Sequence, residues 1–426
     1  MKRLPLKGFN HTLSIAVATA FLAGCGALRQ AQDDMQSAVG VSGTLPQLSE
    51  RAFNNVHQHN ADGEHPRAGL IDVDGTLYGT TQFGGADGNG TVFSITTGGT
   101  EKVLHTFGKM PDGAEPVAEL LYKNGAFYGT TLGGGTSGGG VVFSITPSGV
   151  EKVLHEFGKA PRAVHPEASL VDAGGTFYGT TAYGGVHDFG TIFSITPAGT
   201  WKELYAFRGQ PDGLSPYGAL ISVNGTLYGT TWIGGTNDGG TVFNITKSAT
   251  EKVLFSFNGR SDGSNPAVGL NKAGGAFYGT TYDGGSNGRG TVFTITPSGT
   301  EHVLHSFREG ADGRRPFAGL IEVNGTLYGT TWDGGAHGGG TVFSITPTGT
   351  EKVMHSFGQG TDGKTPLAEL IDVNGTLYGT TFEGGNNRVG VVFSITPSGE
   401  EKVLHSFGGS PDGANWYAST QSLRRH

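Results

Sequence analysis

The sequence predicts an all-β, seven-bladed β-propeller, and three observations carry that expectation. The chain repeats itself at a period of 50 residues, it does so seven times, and each unit holds four short strand patterns bounded by turn residues. Tyr-Gly-Thr-Thr begins at Tyr78, Tyr128, Tyr178, Tyr228, Tyr278, Tyr328 and Tyr378 without an insertion or deletion between copies. The prolines from Pro66 to Pro366, the leucines from Leu70 to Leu370 and the phenylalanines from Phe107 to Phe407 keep the same spacing. A period held this strictly means that every unit meets its neighbours through one geometry, so the units stack or close into a ring. Composition agrees: 77 glycines and only 15% charged residues in 426 suit an all-β chain rich in tight turns.

Within a unit, taking the sixth, the first two strands are expected at Ala318 to Val323 and Thr326 to Thr331. Asn324-Gly325 between them is a two-residue hairpin signal, because a type I′ turn needs positive φ at both central positions. The third and fourth strands are expected at Thr341 to Thr346 and Glu351 to Phe357, joined by the tight Pro347-Thr348-Gly349 turn. A Gly-rich loop from Trp332 to Gly340 joins the second strand to the third, and a loop holding Asp362-Gly363 and Pro366 leads to the next unit. A four-stranded meander puts alternate loops at alternate ends, so both longer loops share one elaborated face and both hairpins share a plain one. An open β solenoid could also use such a repeat. The undiminished pattern at Val403 to Phe407, where a solenoid would need a cap, favours a ring. Glu50 to His57 sits where a fourth strand would complete a sheet shared by the first and last blades.

Ahead of the repeats, Lys2, Arg3 and Lys7 form a positive segment, Leu13 to Leu22 an apolar run, and Leu22-Ala23-Gly24-Cys25 follows at once. This ending resembles the lipobox of bacterial lipoprotein signal peptides, and the resemblance implies cleavage before Cys25, lipidation of its thiol and acylation of the new amino end. An ordinary secretory signal with an incidental cysteine is the alternative. Gly26 resembles lipoproteins passed on to the outer membrane. The expected organisation is a signal peptide over residues 1–24, a lipidated Cys25 with a flexible spacer to residue 49, the propeller over 50–413 and a tail over 414–426. Export to a lipid-anchored place in the cell envelope follows, with the membrane as a partner through the anchor. One cysteine excludes an intramolecular disulfide and a thiolate metal cluster. Loss of the leader leaves 25 basic residues against 36 acidic ones, which argues against a nucleic-acid partner.

Leu-Tyr-Gly-Thr-Thr, Gly-Gly, Gly-Thr-Val-Phe-Ser-Ile-Thr-Pro-Ser-Gly, Val-Leu-His-Ser-Phe and Asp-Gly-x-x-Pro together resemble the GloVer tandem-repeat proteins, exported bacterial proteins with varied anchors. The resemblance covers residues 62 to 413 and implies a propeller-like repeat and an anchored location, with no catalytic residues to carry over. The double glycine and unit length also look like kelch repeats, whose remaining pattern is missing.

Candidate chemistry concentrates in the loop after Tyr-Gly-Thr-Thr. Its first position carries Trp232, Tyr282, Trp332 and Phe382, and its second Asp283, Asp333 and Glu383. Aromatic faces beside carboxylates suit sugar binding, since a ring packs on C–H groups while carboxylates accept hydroxyl hydrogen bonds. The competing reading is that the rings fill gaps between blades. The loop aspartates from Asp62 to Asp412, with Arg162 in the third unit, offer one carboxylate each and already suit turns, a thin supply for calcium. The histidines His105, His155, His305, His355 and His405 share their slot with Tyr205 and Phe255, which favours packing over ligation. No nucleophile elbow, zinc-helix motif or phosphate loop occurs, and no cofactor, metal or catalytic residue is assigned. The functional expectation is a binding module for carbohydrate or an envelope polymer, acting through the elaborated face. A glycan lyase or hydrolase, needing two convergent acid/base groups in the ring mouth, and a protein-binding scaffold are the alternatives.

Overall fold

A computed structural model describes residues 60–158 and 163–409, and no helix occurs among them. The 50-residue units become seven antiparallel four-stranded sheets, each a simple meander drawn from a single unit. In the first blade the strands run Ile71–Val73, Thr76–Thr81, Thr91–Thr96 and Glu101–Thr106 from the axis outward. Asp74 and Gly75 both have positive φ, at 53° and 79°, which is the type I′ geometry that the Asp-Gly and Asn-Gly pairs are suited to.

Two differences from the expected strands have physical reasons. The first strand of the sixth unit is only Ile321–Val323, because Ala318 to Leu320 run along the ring axis, where their own sheet has no partner for them. The Ala318 carbonyl is met instead by the Thr280 hydroxyl of the preceding blade at 3.1 Å. The outer strand also carries a bulge: in blade 1, Phe93 pairs with Val103 while Val92 pairs with His105, leaving Leu104 unpaired. The extra residue turns both Leu104 and His105 toward the blade interface, where a regular strand would turn only one of them inward.

The core lies between blades. Seven clusters of buried residues each join the inner face of one blade to the outer face of the next, and the seventh joins Leu70, Leu77 and Phe93 to Tyr378, Val392 and Phe407. Phe107 meets Phe143 edge-on at 5.2 Å, and Phe407 meets Phe93 in the same way at 5.2 Å. Thr380 donates to the Ala68 carbonyl as Thr280 does to that of Ala318, so the last interface is built like the others and the ring is closed. All four strands of the seventh blade come from its own unit, and Glu50 to His57 lie outside the described residues.

Closure has a direct test. Asp62 accepts the Gly408 N–H at 3.1 Å and lies 3.3 Å from His405, as Asp112 accepts the Gly108 N–H at 2.8 Å and lies 3.3 Å from His105. Asp62→Ala and Asp112→Ala are therefore expected to lower stability alike, each by ~2 kcal/mol in urea unfolding. An Asp62→Ala protein as stable as its parent would show an open ring.

Candidate functional site

The two longer loops of each unit pair with one another on one face, as Glu64 with Phe83 and Arg314 with Asp333. In three blades this grows into a two-stranded ribbon, for instance Gly363–Lys364 against Glu383–Gly384. The paired loops ring the mouth of an axial channel enclosing about 660 Å³ of empty space, open mouth included. The channel wall is the segment between each unit's fixed Pro and Leu, read as Arg-Ala-Gly, Val-Ala-Glu, Glu-Ala-Ser, Tyr-Gly-Ala, Ala-Val-Gly, Phe-Ala-Gly and Leu-Ala-Glu around the ring. Its middle position is mostly Ala because seven segments converge there, and the flanking positions carry the chemistry.

On the arc of blades 4 to 6 the mouth is aromatic. Trp232 and Tyr282 lie 5.4 Å apart, Tyr282 and Trp332 5.3 Å, and Phe317 from the channel wall packs against all three. Trp232 and Tyr282 are only 6% and 4% exposed, so they fill the space between blades, while Trp332 and Phe382 keep part of their surface open. Phe382 packs on the His65 ring at 4.5 Å, tilted by 35°, across the closure. The second-position carboxylates are engaged: Asp333 lies 2.9 Å from Arg314 and 3.7 Å from Arg315, and Asp283 lies 3.8 Å from Arg315. Arg315 in turn covers the Tyr282 ring at 5.4 Å. Glu383 sits in the ribbon opposite Lys364. Cys25 lies outside the described residues.

On the arc of blades 1 to 3 the mouth is polar. Gln82 donates to Glu115 at 3.2 Å, Arg67 pairs with Glu167 at 3.5 Å, and Tyr183 and Tyr217 join hydroxyls at 3.0 Å. Glu167 Oε1 is buried with no hydrogen-bond partner. Burial raises the Glu167 carboxyl to about 7 against the opposing pull of Arg67, and raises Glu119, on the channel wall, to about 7 as well. Glu369 is raised to about 8 by burial and by the Glu119 charge. None of Arg67, Glu119, Glu167, Tyr217 and Glu369 was singled out from the sequence. The available signal was that the three residues between a fixed Pro and a fixed Leu vary as much as the loop after Tyr-Gly-Thr-Thr.

The repeated histidine and aspartate also meet in a way that reading each series alone misses. His105, His305, His355 and His405 each stand 3.3 Å from the aspartate of the following loop. A glutamate opening the outer strand of the next blade completes the group between blades 1 and 2 and between blades 5 and 6.

Fold and channel together define a closed seven-bladed β-propeller with a half-aromatic, half-polar axial mouth. The chain belongs to the Gloeobacter/Verrucomicrobia repeat family, whose sequence model matches residues 35–243 and 215–424. No curated protein matches the sequence. Among solved structures, the fold is similar to virginiamycin B lyase from Staphylococcus aureus, with a TM-score of 0.52 and 15% identity over 75% of this chain and 93% of that one. A putative 6-phosphogluconolactonase from Bacteroides uniformis gives 0.54 and 14% over 79% and 95%. A puromycin-hydrolyzing peptidase from Mycobacterium tuberculosis gives 0.53 and 12% over 82% of this chain, which spans 54% of that protein. At such identities the likeness is one of fold alone.

Proposed function

We propose that the protein is a lipid-anchored binding module of the cell envelope that takes a carbohydrate or envelope polymer at the mouth of the axial channel. The observation that carries this reading is the split of the mouth into an aromatic arc, with Trp332 and Phe382 partly open, and a polar arc around Gln82, Glu115, Arg67 and Glu167. A sugar ring has the same division, C–H faces beside hydroxyl edges, and pockets that combine apolar walls with a few placed polar groups bind such ligands. The anchor rests on the charged, apolar and Leu-Ala-Gly-Cys segments ending at Cys25, with the outer membrane as its destination.

The test is a glycan and polysaccharide panel on the Cys25→Ser protein, followed by tryptophan fluorescence. Trp332→Ala with Phe382→Ala is expected to weaken binding at least ~10-fold in a protein that stays folded, the loss of two apolar contacts. Unchanged binding in that folded variant would remove the mouth from consideration and favour a protein-binding scaffold.

A second reading is a glycan lyase or hydrolase, favoured by the Glu119, Glu167 and Glu369 carboxyls that hold protons near neutral pH in one channel. Chromatography of the same incubations separates the two: release of shortened glycan, abolished by Glu119→Gln with Glu369→Gln, would make the channel catalytic.

A further inference from the structure

Away from the axis, the interface between blades 1 and 2 brings His105, Asp112 and Glu151 together, each from a different stretch of chain. The histidine lies on the bulged outer strand of blade 1, the aspartate in the loop to blade 2, and the glutamate at the start of the outer strand of blade 2. One ligand atom from each lies within 4.8 Å of the other two, and His305, Asp312 and Glu351 repeat the arrangement between blades 5 and 6.

The groups are held in place from behind. Asp112 accepts the N–H groups of Gly108 at 2.8 Å and Gly113 at 2.7 Å, and Asp312 accepts that of Arg308 at 2.9 Å. Each histidine ring packs edge-on against the next phenylalanine, at 4.9 Å for both His105 on Phe107 and His305 on Phe307. The Oε1 atoms of Glu151 and Glu351 are buried and have no hydrogen-bond partner. Two carboxylates facing one another beside an imidazole nitrogen demand a positive charge between them, either a shared proton or a cation.

The variant interfaces bear on the choice. Tyr205 replaces the histidine between blades 3 and 4, and its hydroxyl reaches Asp212 at 2.8 Å and Glu251 at 3.4 Å, filling the space with an O–H donor. In the third unit Arg162 stands for the aspartate, and the glutamate is lost with it: Trp201 takes its position and stacks on His155 at 4.7 Å. Where the aspartate is lost the glutamate is lost with it, although His155 remains, so the two carboxylates go together, as expected of groups that share one positive charge.

We propose that the chain binds two divalent transition-metal ions of the Zn2+ type, one at His105, Asp112 and Glu151 and one at His305, Asp312 and Glu351. One imidazole nitrogen and two carboxylate oxygens form a three-ligand set that leaves a fourth, tetrahedral position to water. An ion there joins two blades through three separate segments, so it acts as a staple across the interface. This is independent of what the axial mouth binds.

The experiment is a Zn2+ titration of the chelator-stripped full chain by calorimetry at pH 7, with elemental analysis after dialysis. Two equivalents are expected, with micromolar or tighter affinity, and a melting temperature that rises with added Zn2+. His105→Phe with His305→Phe is expected to abolish both while the circular dichroism spectrum is unchanged, because Phe255 already occupies the same slot in the fourth unit. Glu151→Gln alone is expected to leave one equivalent. Failure of the parent to hold Zn2+ would mean that a proton bridges the carboxylates, and retention of both equivalents by the double phenylalanine variant would place the metal elsewhere; either result overturns the proposal.

Discussion

Gly229→Val is expected to destabilise the propeller by ~3 kcal/mol and to lower its melting temperature by several degrees, a cost of the size seen when a packed core is overfilled. Gly229 is the glycine of Tyr-Gly-Thr-Thr, and its place in the middle of the strand Thr226–Thr231 is not a matter of φ. Across the sheet it faces Phe243, and a Cβ there would stand 2.8 Å from the Phe243 ring and 2.7 Å from Leu220. Both neighbours belong to the buried cluster between blades 3 and 4 and have nowhere to move. Gly79 and Gly379 show the same approach, at 2.8 Å and 2.7 Å from Phe93 and Phe393. A cross-strand phenylalanine lying over a glycine thus explains why this motif recurs in every blade. Gly229→Ala should cost less than valine, and thermal melts of the pair measure the gradient; a valine variant melting with the parent would refute the packing account.

The stability of the metal-free protein is expected to fall as pH rises from 5 to 8. Burial raises Glu101, Glu151, Glu251, Glu301, Glu351 and Glu401 at the blade interfaces to about 7, and Glu119 and Glu167 in the channel likewise. Glu369 goes to about 8. Each is a carboxyl whose folded pKa lies above its ordinary value of 4.5, so the folded state holds the extra proton. That contribution is complete below pH 4.5 and is lost as pH passes through 7 to 8. Partial exposure reduces each of the six interface glutamates to on the order of 1 kcal/mol, and with the three channel carboxyls they make several. Asp112 and Asp312 run the other way: burial pushes them up, but the hydrogen bonds from His105, His305 and the backbone outweigh it and leave them below the ordinary value of 3.8. Their contribution is present above pH 3.8 and disappears as the solution becomes more acidic. Urea unfolding in chelator should therefore show greatest stability on the mildly acidic side, and Glu369→Gln should flatten the decline toward pH 8. A stability that climbs between pH 5 and 8 would contradict the assignment.

Much of the site's framework is legible in the sequence. The paired longer loops were placed on one face by counting strands, and the loop after Tyr-Gly-Thr-Thr was marked as the variable one. The aromatic series is legible in the sequence, but its balance of burial is not: Phe317 packs on Trp232, Tyr282 and Trp332 alike, yet Trp232 and Tyr282 are buried while Trp332 and Phe382 keep part of their surface open. Sequence alone reads the histidines as packing residues and the aspartates as turn residues. Both readings describe part of the truth, since His105 does pack on Phe107 and Asp112 does hold its loop. What joins them is a third residue, Glu151, supplied by the next blade.

The sequence by itself determined the period, the strand Thr326–Thr331, the type I′ turns and the number of blades, because alternation and positive-φ turn chemistry act over a few neighbouring residues. Tertiary structure alone decided that, among the described residues, the first and last blades each draw four strands from their own unit, that the residues between Pro and Leu line a channel, and that a histidine, an aspartate and a glutamate converge. Those outcomes depend on the angle between successive blades and on the bulge that turns His105 inward, and both arise only when one sheet packs on the next.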